Sequence, residues 1–283
     1  MGCIAGMAAA AVMGEEQTVE VARGPGKSWV EMPVRTVAML PPVAVDPSPG
    51  RFGGSLVRGG EAAGFFRTTR RDGRWWLVDP DGFLFIHRGV TSVRPVVSPG
   101  AAEAFQERFG GTAGWAAATT RLLKVHGFNG LGAWSDEAAL QPARHAMVYT
   151  MNWNFMASYG KRRGGTYQKP GHTGYPGDCP FIFDPEFPAF CDEHARQLAA
   201  TRDEPWLLGH FTDNELPWSR KMLANYLALP KSDPGHQVAS RWLRERRGRD
   251  LGSKPRFTPD EETAFLAFAA DTYFATVTKA IRR

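Results

Sequence analysis

Short apolar runs and helically spaced apolar positions follow one another along most of the chain. Arg74–Val78 and Phe83–Val90 are bounded by Asp72-Gly73 and Asp81-Gly82, dipeptides that favour tight turns. They predict a β-hairpin whose second strand, with the run Phe83-Leu84-Phe85-Ile86, suits a buried position. Trp115, Leu122 and Leu123 give Thr112–His126 a helical spacing, and Gly127 stops it. Phe128–Trp134 and Ala146–Asn152 read as strands. A loop rich in Gly, Pro and Tyr covers Ser158–Pro180, followed by a helix over about Pro185–Thr201. Trp206–Phe211 is a further strand, ending at Asp213-Asn214-Glu215. A long helix over Pro259–Arg283 carries Phe265, Phe268, Tyr273, Phe274, Val277 and Ile281 as apolar positions.

Strands that alternate with helices imply parallel βαβ units. Four barrel-type strands start near Phe83, Phe128, Ala146 and Trp206. The fold class is therefore α/β: an incomplete (β/α)8 TIM barrel of about four βα units, preceded by a β-hairpin. Residues 61–283 are assigned to it. Residues 1–60 are rich in Gly, Pro and Ala and read as a leader or linker, the remnant of a signal segment or of an accessory β-domain, with one strand around Thr36–Leu40. The opening MGCIAGMAAAAVMGEE has an apolar run of signal-peptide length without a basic flank, too short to span a membrane. A secreted or periplasmic location, with no membrane partner, is the expectation.

Composition narrows the picture only a little. The chain has 283 residues, 43% hydrophobic and 22% charged, close to the average for globular proteins. Its 34 Lys and Arg against 29 Asp and Glu give a net charge of +5, too modest and too dispersed to imply a nucleic-acid partner. The densest basic cluster, Arg241, Arg244, Arg246, Arg247 and Arg249, reads as the solvated face and end of a helix. Three cysteines, Cys3, Cys179 and Cys191, make no disulfide framework and no metal-ligand spacing. His172, His194 and His210 share no metal spacing either, so no metal and no cofactor are implied. Nine Trp are compatible with stacking on sugar rings or with core packing.

The informative segment is EPWLLGHFTDNELPWS. In a (β/α)8 barrel the C-terminal strand ends carry the active site, and here a strand delivers Asn214 and Glu215 at that end. Glycoside hydrolysis needs a carboxylic acid that protonates the leaving oxygen, and an adjacent Asn can hold a sugar hydroxyl. Asp213, next along a strand, is expected to point away or to cap a helix. Trp218, Trp134 and Trp153 are candidate stacking platforms. His87 at the end of the first barrel strand, Asn129 on or just after the second and Asn152 at the end of the third are further candidate substrate contacts, although a lone histidine is more often structural.

Three stretches, DGRWWLVDPDGFLFIHRGV, HGFNGLGAWSD and LLGHFTDNELPW, resemble in order and spacing the β-agarases of glycoside hydrolase family 50. They span Phe65 to about Trp218. The resemblance implies Glu215 as general acid/base with Asn214 beside it, a retaining two-carboxylate mechanism, and galactan polysaccharides or oligosaccharides as substrate. Ile86-His87 departs from the family's usual Phe-Ser. The retaining nucleophile of such barrels lies on a later strand, so it is expected beyond Arg283, and the 283 residues alone are expected not to hydrolyse agar. A non-catalytic carbohydrate-binding half barrel, and a β-galactosidase or porphyranase on the same barrel, stand as alternatives.

Overall fold

The computed structural model describes residues 17–22, 24, 26–34, 49–95, 98–140, 147–169, 172–248 and 256–283. The strand expected at Thr36–Leu40 lies outside the described residues. The chain divides into two units, Met1–Pro47 and Ser48–Arg283. In the first, β1 (Gln17–Val21) and β2 (Val30–Val34) form an antiparallel hairpin. The division falls at 47/48, within the stretch expected as leader or linker. The reason is packing: Phe52 is 1% exposed and sits in a core cluster with Phe85 and Val148.

The second unit opens with β3 (Arg67–Arg71) and β4 (Arg74–Val78), joined at Asp72-Gly73. Both turn residues have positive φ, 51° and 76°, as the twist of a two-residue hairpin requires. β5 (Leu84–Phe85) adds to β4, so the hairpin becomes a three-stranded antiparallel sheet. The single strand expected over Phe83–Val90 is thus divided, and its second piece, β6 (Gly89–Val90), joins a different sheet. Asn129 accounts for the break. Its Oδ1 accepts the Arg88 amide at 2.7 Å, and its Nδ2 donates to the carbonyls of Ile86 and Gly53 at 2.9 and 3.0 Å. The backbone between the two strands is satisfied by a side chain rather than by a sheet ladder.

Further along lie α1 (Ala102–Phe109), α2 (Thr112–Val125), β7 (Gly130–Leu131), α3 (Glu137–Leu140), β8 (Val148–Asn152) and α4 (Phe155–Arg163). A small hairpin, β9 (Tyr167–Lys169) with β10 (His172–Gly174), precedes α5 (Phe187–Ala195), which tightens into a 3-10 turn over Arg196–Thr201. Then come β11 (Leu207–Phe211), α6 (Met222–Ala228), α7 (Pro234–Arg247) and α8 (Pro259–Ile281). The segment expected as a loop from Ser158 to Pro180 therefore contains most of α4 and the β9–β10 hairpin.

β6, β7, β8 and β11 form one parallel sheet with its strands in chain order. Its two faces are distinct. Tyr149 and Leu131 pack with Ala116 of α2 and Leu140 of α3 on the outer face. Val148 packs with Phe52 and Phe85, flanked by Phe66, Leu77, Trp206 and Leu208, on the inner face. Aromatic contacts of Phe52 with Phe66 and Trp206 (centroids 5.6 and 4.7 Å apart) make this cluster a plug at the N-terminal end of the inner face. The largest core lies among α4 to α8 and includes Phe155, Phe187, Tyr226, Phe265 and Tyr273. Phe265, Ala269, Tyr273 and Val277 give α8 a buried stripe at intervals of four, while Phe274 is half exposed. A capping box between Thr258 and Glu261 fixes the start of α8. No described helix is long and apolar enough to cross a membrane.

Candidate active site

Each strand of the parallel sheet is followed within four residues by a non-glycine residue in the left-handed region. These are Ser92 (φ 57°) after β6, Trp134 (61°) after β7, Asn154 (50°) after β8 and Glu215 (48°) after β11. Only two further non-glycine residues, Asp72 and Asp178, have positive φ among the described residues. The left-handed conformation costs an ordinary residue about 1–2 kcal/mol. Such residues gather at sites where function needs a particular backbone path, and here they gather at the C-terminal rim of the sheet.

The turn that carries Glu215 is held from behind. The Phe211 carbonyl accepts the Trp153 amide at 3.0 Å and the Thr212 carbonyl accepts the Phe155 amide at 2.8 Å. Asp213 then turns its carboxylate onto the N-terminus of α4, accepting from the Met156 and Ala157 amides at 2.8 and 3.1 Å, and from the Tyr273 hydroxyl at 2.6 Å. Burial pushes the Asp213 carboxyl up, while the tyrosine and the two amides pull it back. Asp213 thus acts as the remote cap of α4. The local N-cap residue, Asn154, makes no side-chain cap bond. Asn214 is half-buried and Glu215 is exposed. A carboxylic acid presented this way can reach a bound molecule and deliver a proton to it.

The other expected contacts divide into two groups. Trp134 is 48% exposed and Trp218 36%, the latter stacked on Phe274 with centroids 6.2 Å apart and edge-on to Tyr273. Asn152 ends β8, and its Oδ1 is buried without a partner among the described residues. Asn152 and Trp134 stand at the C-terminal rim with Glu215, and Trp218 lies against α8. Trp153, expected as a platform, packs instead against the helical core, and its indole N–H donates to His210 Nδ1 at 2.8 Å. Asn129 and His87 are corrections. His87 was expected at the end of its strand and Asn129 on or just after the next, but both precede β6 and β7 respectively, so they lie at the opposite, N-terminal edge of the sheet. Asn129 is 5% exposed with its amide committed to backbone. The His87 ring covers Gly89 and Gly130, and its burial holds the imidazole pKa below the usual histidine value.

Sequence reasoning did not single out Ser92, Thr150 or Phe211. Strand register was the available signal: Phe211 pairs with Asn152, and Thr150 precedes Asn152 by one pleat repeat. Two other carboxylates near the mouth in sequence are otherwise engaged. Asp136 caps α3 through the Ala139 amide at 3.0 Å, and Asp184 pairs with Arg163 Nε at 2.5 Å.

No family model matches the chain. Among curated proteins it is similar to β-agarase B of Vibrio sp. (strain JT0107), 25% identical over 236 residues, which cover 60% of this chain and 24% of that protein. The chain thus spans about a quarter of the length of that relative. Its fold is similar to the crystal structure of BpGH50, with TM-score 0.71 and 21% identity over 94% of this chain and 62% of that one. It is also similar to PfGH50B, with TM-score 0.65 and 20% identity over 82% and 46% of the two chains. An exo-β-agarase superposes with TM-score 0.63 and 19% identity over 84% and 47%. The chain is, by sequence and fold together, like the β-agarases of glycoside hydrolase family 50.

Proposed function

We propose that these residues carry the proton-donating part of a β-agarase-type glycoside hydrolase that cleaves β-galactosidic bonds in agar-like galactans. One observation carries the reading. In a chain with this likeness, an exposed glutamate follows an asparagine on a strained turn at the C-terminal end of the fourth parallel strand. Glu215 is the general acid/base and Asn214 orients a hydroxyl beside the scissile bond. Trp134 and Trp218 offer exposed indole faces for stacking. The sheet is read as four strands of a (β/α)8 barrel. The mechanism is a retaining one, in which a second carboxylate about 5–5.5 Å away attacks the anomeric carbon. With Asp136 and Asp184 engaged elsewhere, that nucleophile is assigned to a later strand than β11. The same reading carries a secreted or periplasmic location, where such polymers are met.

The test is Glu215→Gln in a polypeptide that bears both carboxylates. Release of reducing sugar from agarose is expected to fall by about 10²- to 10⁴-fold, the usual worth of general acid catalysis. An aryl β-galactoside with an activated leaving group needs little protonation and should lose far less. Equal losses on both substrates, or none, would remove Glu215 from the role. Saturable galactan binding without Glu215-dependent turnover would favour the alternative of a carbohydrate-binding half barrel.

A further inference from the structure

The inner face of the parallel sheet changes character above its aromatic plug. Paired residues of parallel strands share a face, and faces alternate along each strand. Val148 belongs to the plug, so Thr150 and Asn152 lie on the same inner face at successive levels above it. Register places Gly209 beside Thr150 and Phe211 beside Asn152. Bulky branched side chains normally fill such positions in a barrel. Here the first level above Val148 carries a hydroxyl and a glycine. A Cβ built on Gly209 meets nothing within 4 Å, so there is open space over this level. On the paired strand β8, Thr150 Oγ1 and Asn152 Oδ1 are both buried and without a hydrogen-bond partner among the described residues.

Buried polar side-chain atoms are nearly always satisfied. Two orphans on one strand, about 6.6 Å apart along it, beside empty space, mark a place for a molecule that brings its own hydroxyls. Phe211, 49% exposed on the same face, supplies an apolar surface next to them. We propose that one galactosyl unit of the substrate is seated in this well, its hydroxyls bonded to Thr150 Oγ1 and Asn152 Oδ1 and an apolar ring face against Phe211. The inference rests on the galactanase reading and adds to it a specificity seat on β8 and β11 that descends from the rim toward the plug.

The test is calorimetric titration of the 283-residue chain with an agarose-derived tetrasaccharide, in parallel with thermal melting. Thr150→Val keeps the shape and removes the hydroxyl. It should weaken binding about 3- to 10-fold, the worth of one neutral hydrogen bond. The melting temperature should stay level or rise, because a buried partnerless hydroxyl is replaced by a methyl group. Gly209→Val fills the open space with a residue suited to strands, and should weaken binding at least tenfold with the melting temperature unchanged. Wild-type affinity in both variants would overturn the seat and leave the galactanase reading standing. Losses of binding that track losses of stability would also overturn it, by making both positions structural. A wild-type chain that does not bind the tetrasaccharide overturns the seat, and the Glu215 experiment then decides the broader reading by itself.

Discussion

His87 shows what one side chain can impose on its neighbours. A Cβ placed on Gly130 would lie 2.0 Å from His87 Nε2 and 2.9 Å from the Val148 carbonyl oxygen, and one on Gly89 would lie 2.6 Å from His87 Cε1. Both glycines are therefore set by the imidazole that lies over them. Gly130→Ala should cost about 1–3 kcal/mol, the usual penalty of overpacking, read from urea unfolding. Adding His87→Ala should return part of that loss, since the two sites share the clash; strictly additive losses would refute the account. Histidine also sets a pH dependence. Burial lowers the pKa of both His87 and His210 from 6.5. The bond made at His210 fits a neutral ring: an indole N–H only donates, so the Nδ1 that accepts it carries no proton. As pH falls through 6.5, the unfolded chain gains protons that the folded chain refuses. The histidine contribution to stability is whole above that value and is lost progressively below it, until the lowered pKa values are reached. The urea midpoint should fall between pH 7.5 and pH 5, and His210→Gln should flatten that fall. A midpoint insensitive to pH in this window would contradict the burial of both rings.

At the scale of elements, α4 depends on a residue far from it in sequence. Asp213 satisfies its first free amides across 57 and 56 positions and is itself held by Tyr273 of α8. Asp213→Ala should cost about 2–3 kcal/mol, combining a lost cap with the loss of a charged acceptor. Tyr273→Phe, which removes one bond, should cost about 0.5–1.5 kcal/mol. A neutral result for Asp213→Ala in chemical unfolding would show that α4 holds without it. This long-range capping explains why α4 was illegible from sequence: Phe155–Arg163 has no local N-cap bond and follows a residue in the left-handed region. By contrast, Val148–Asn152, Leu207–Phe211, Thr112–Val125 and Pro259–Ile281 announce themselves through apolar runs, spacing and stop residues. The site was legible to the extent that strand ends were. Asn152 ends its strand in both descriptions, Glu215 follows its strand in both, and Trp134 moves only from the end of its strand to just after it. His87 and Asn129 did not survive, because a short strand displaced by a few residues carries a neighbouring side chain from one end of the sheet to the other. Asn129 caused that displacement itself, through bonds to residues 41 and 43 positions away.

For the whole of the larger unit, the sheet has two outer strands. Among the described residues β6 pairs only with β7, and β11 only with β8. A closed barrel leaves no such edges, whereas an open edge offers a row of backbone donors and acceptors to any strand that approaches. β11 is the more consequential edge. It is five residues long against two for β6, and none of its five residues carries a formal charge at neutral pH that would discourage pairing. Phe211, on that strand, is half exposed. A strand of this kind favours association through added β-pairing, either with a second copy or with a complementary strand supplied in another way. The 283-residue chain is therefore expected to associate as its concentration rises, measured by sedimentation velocity over the micromolar range. Phe211→Lys places a charge on the edge, a device by which proteins keep such strands apart, and should shift the distribution toward the monomer. A chain that sediments as a monomer throughout the range, or a variant that associates as strongly as the wild type, would remove the β11 edge as the cause.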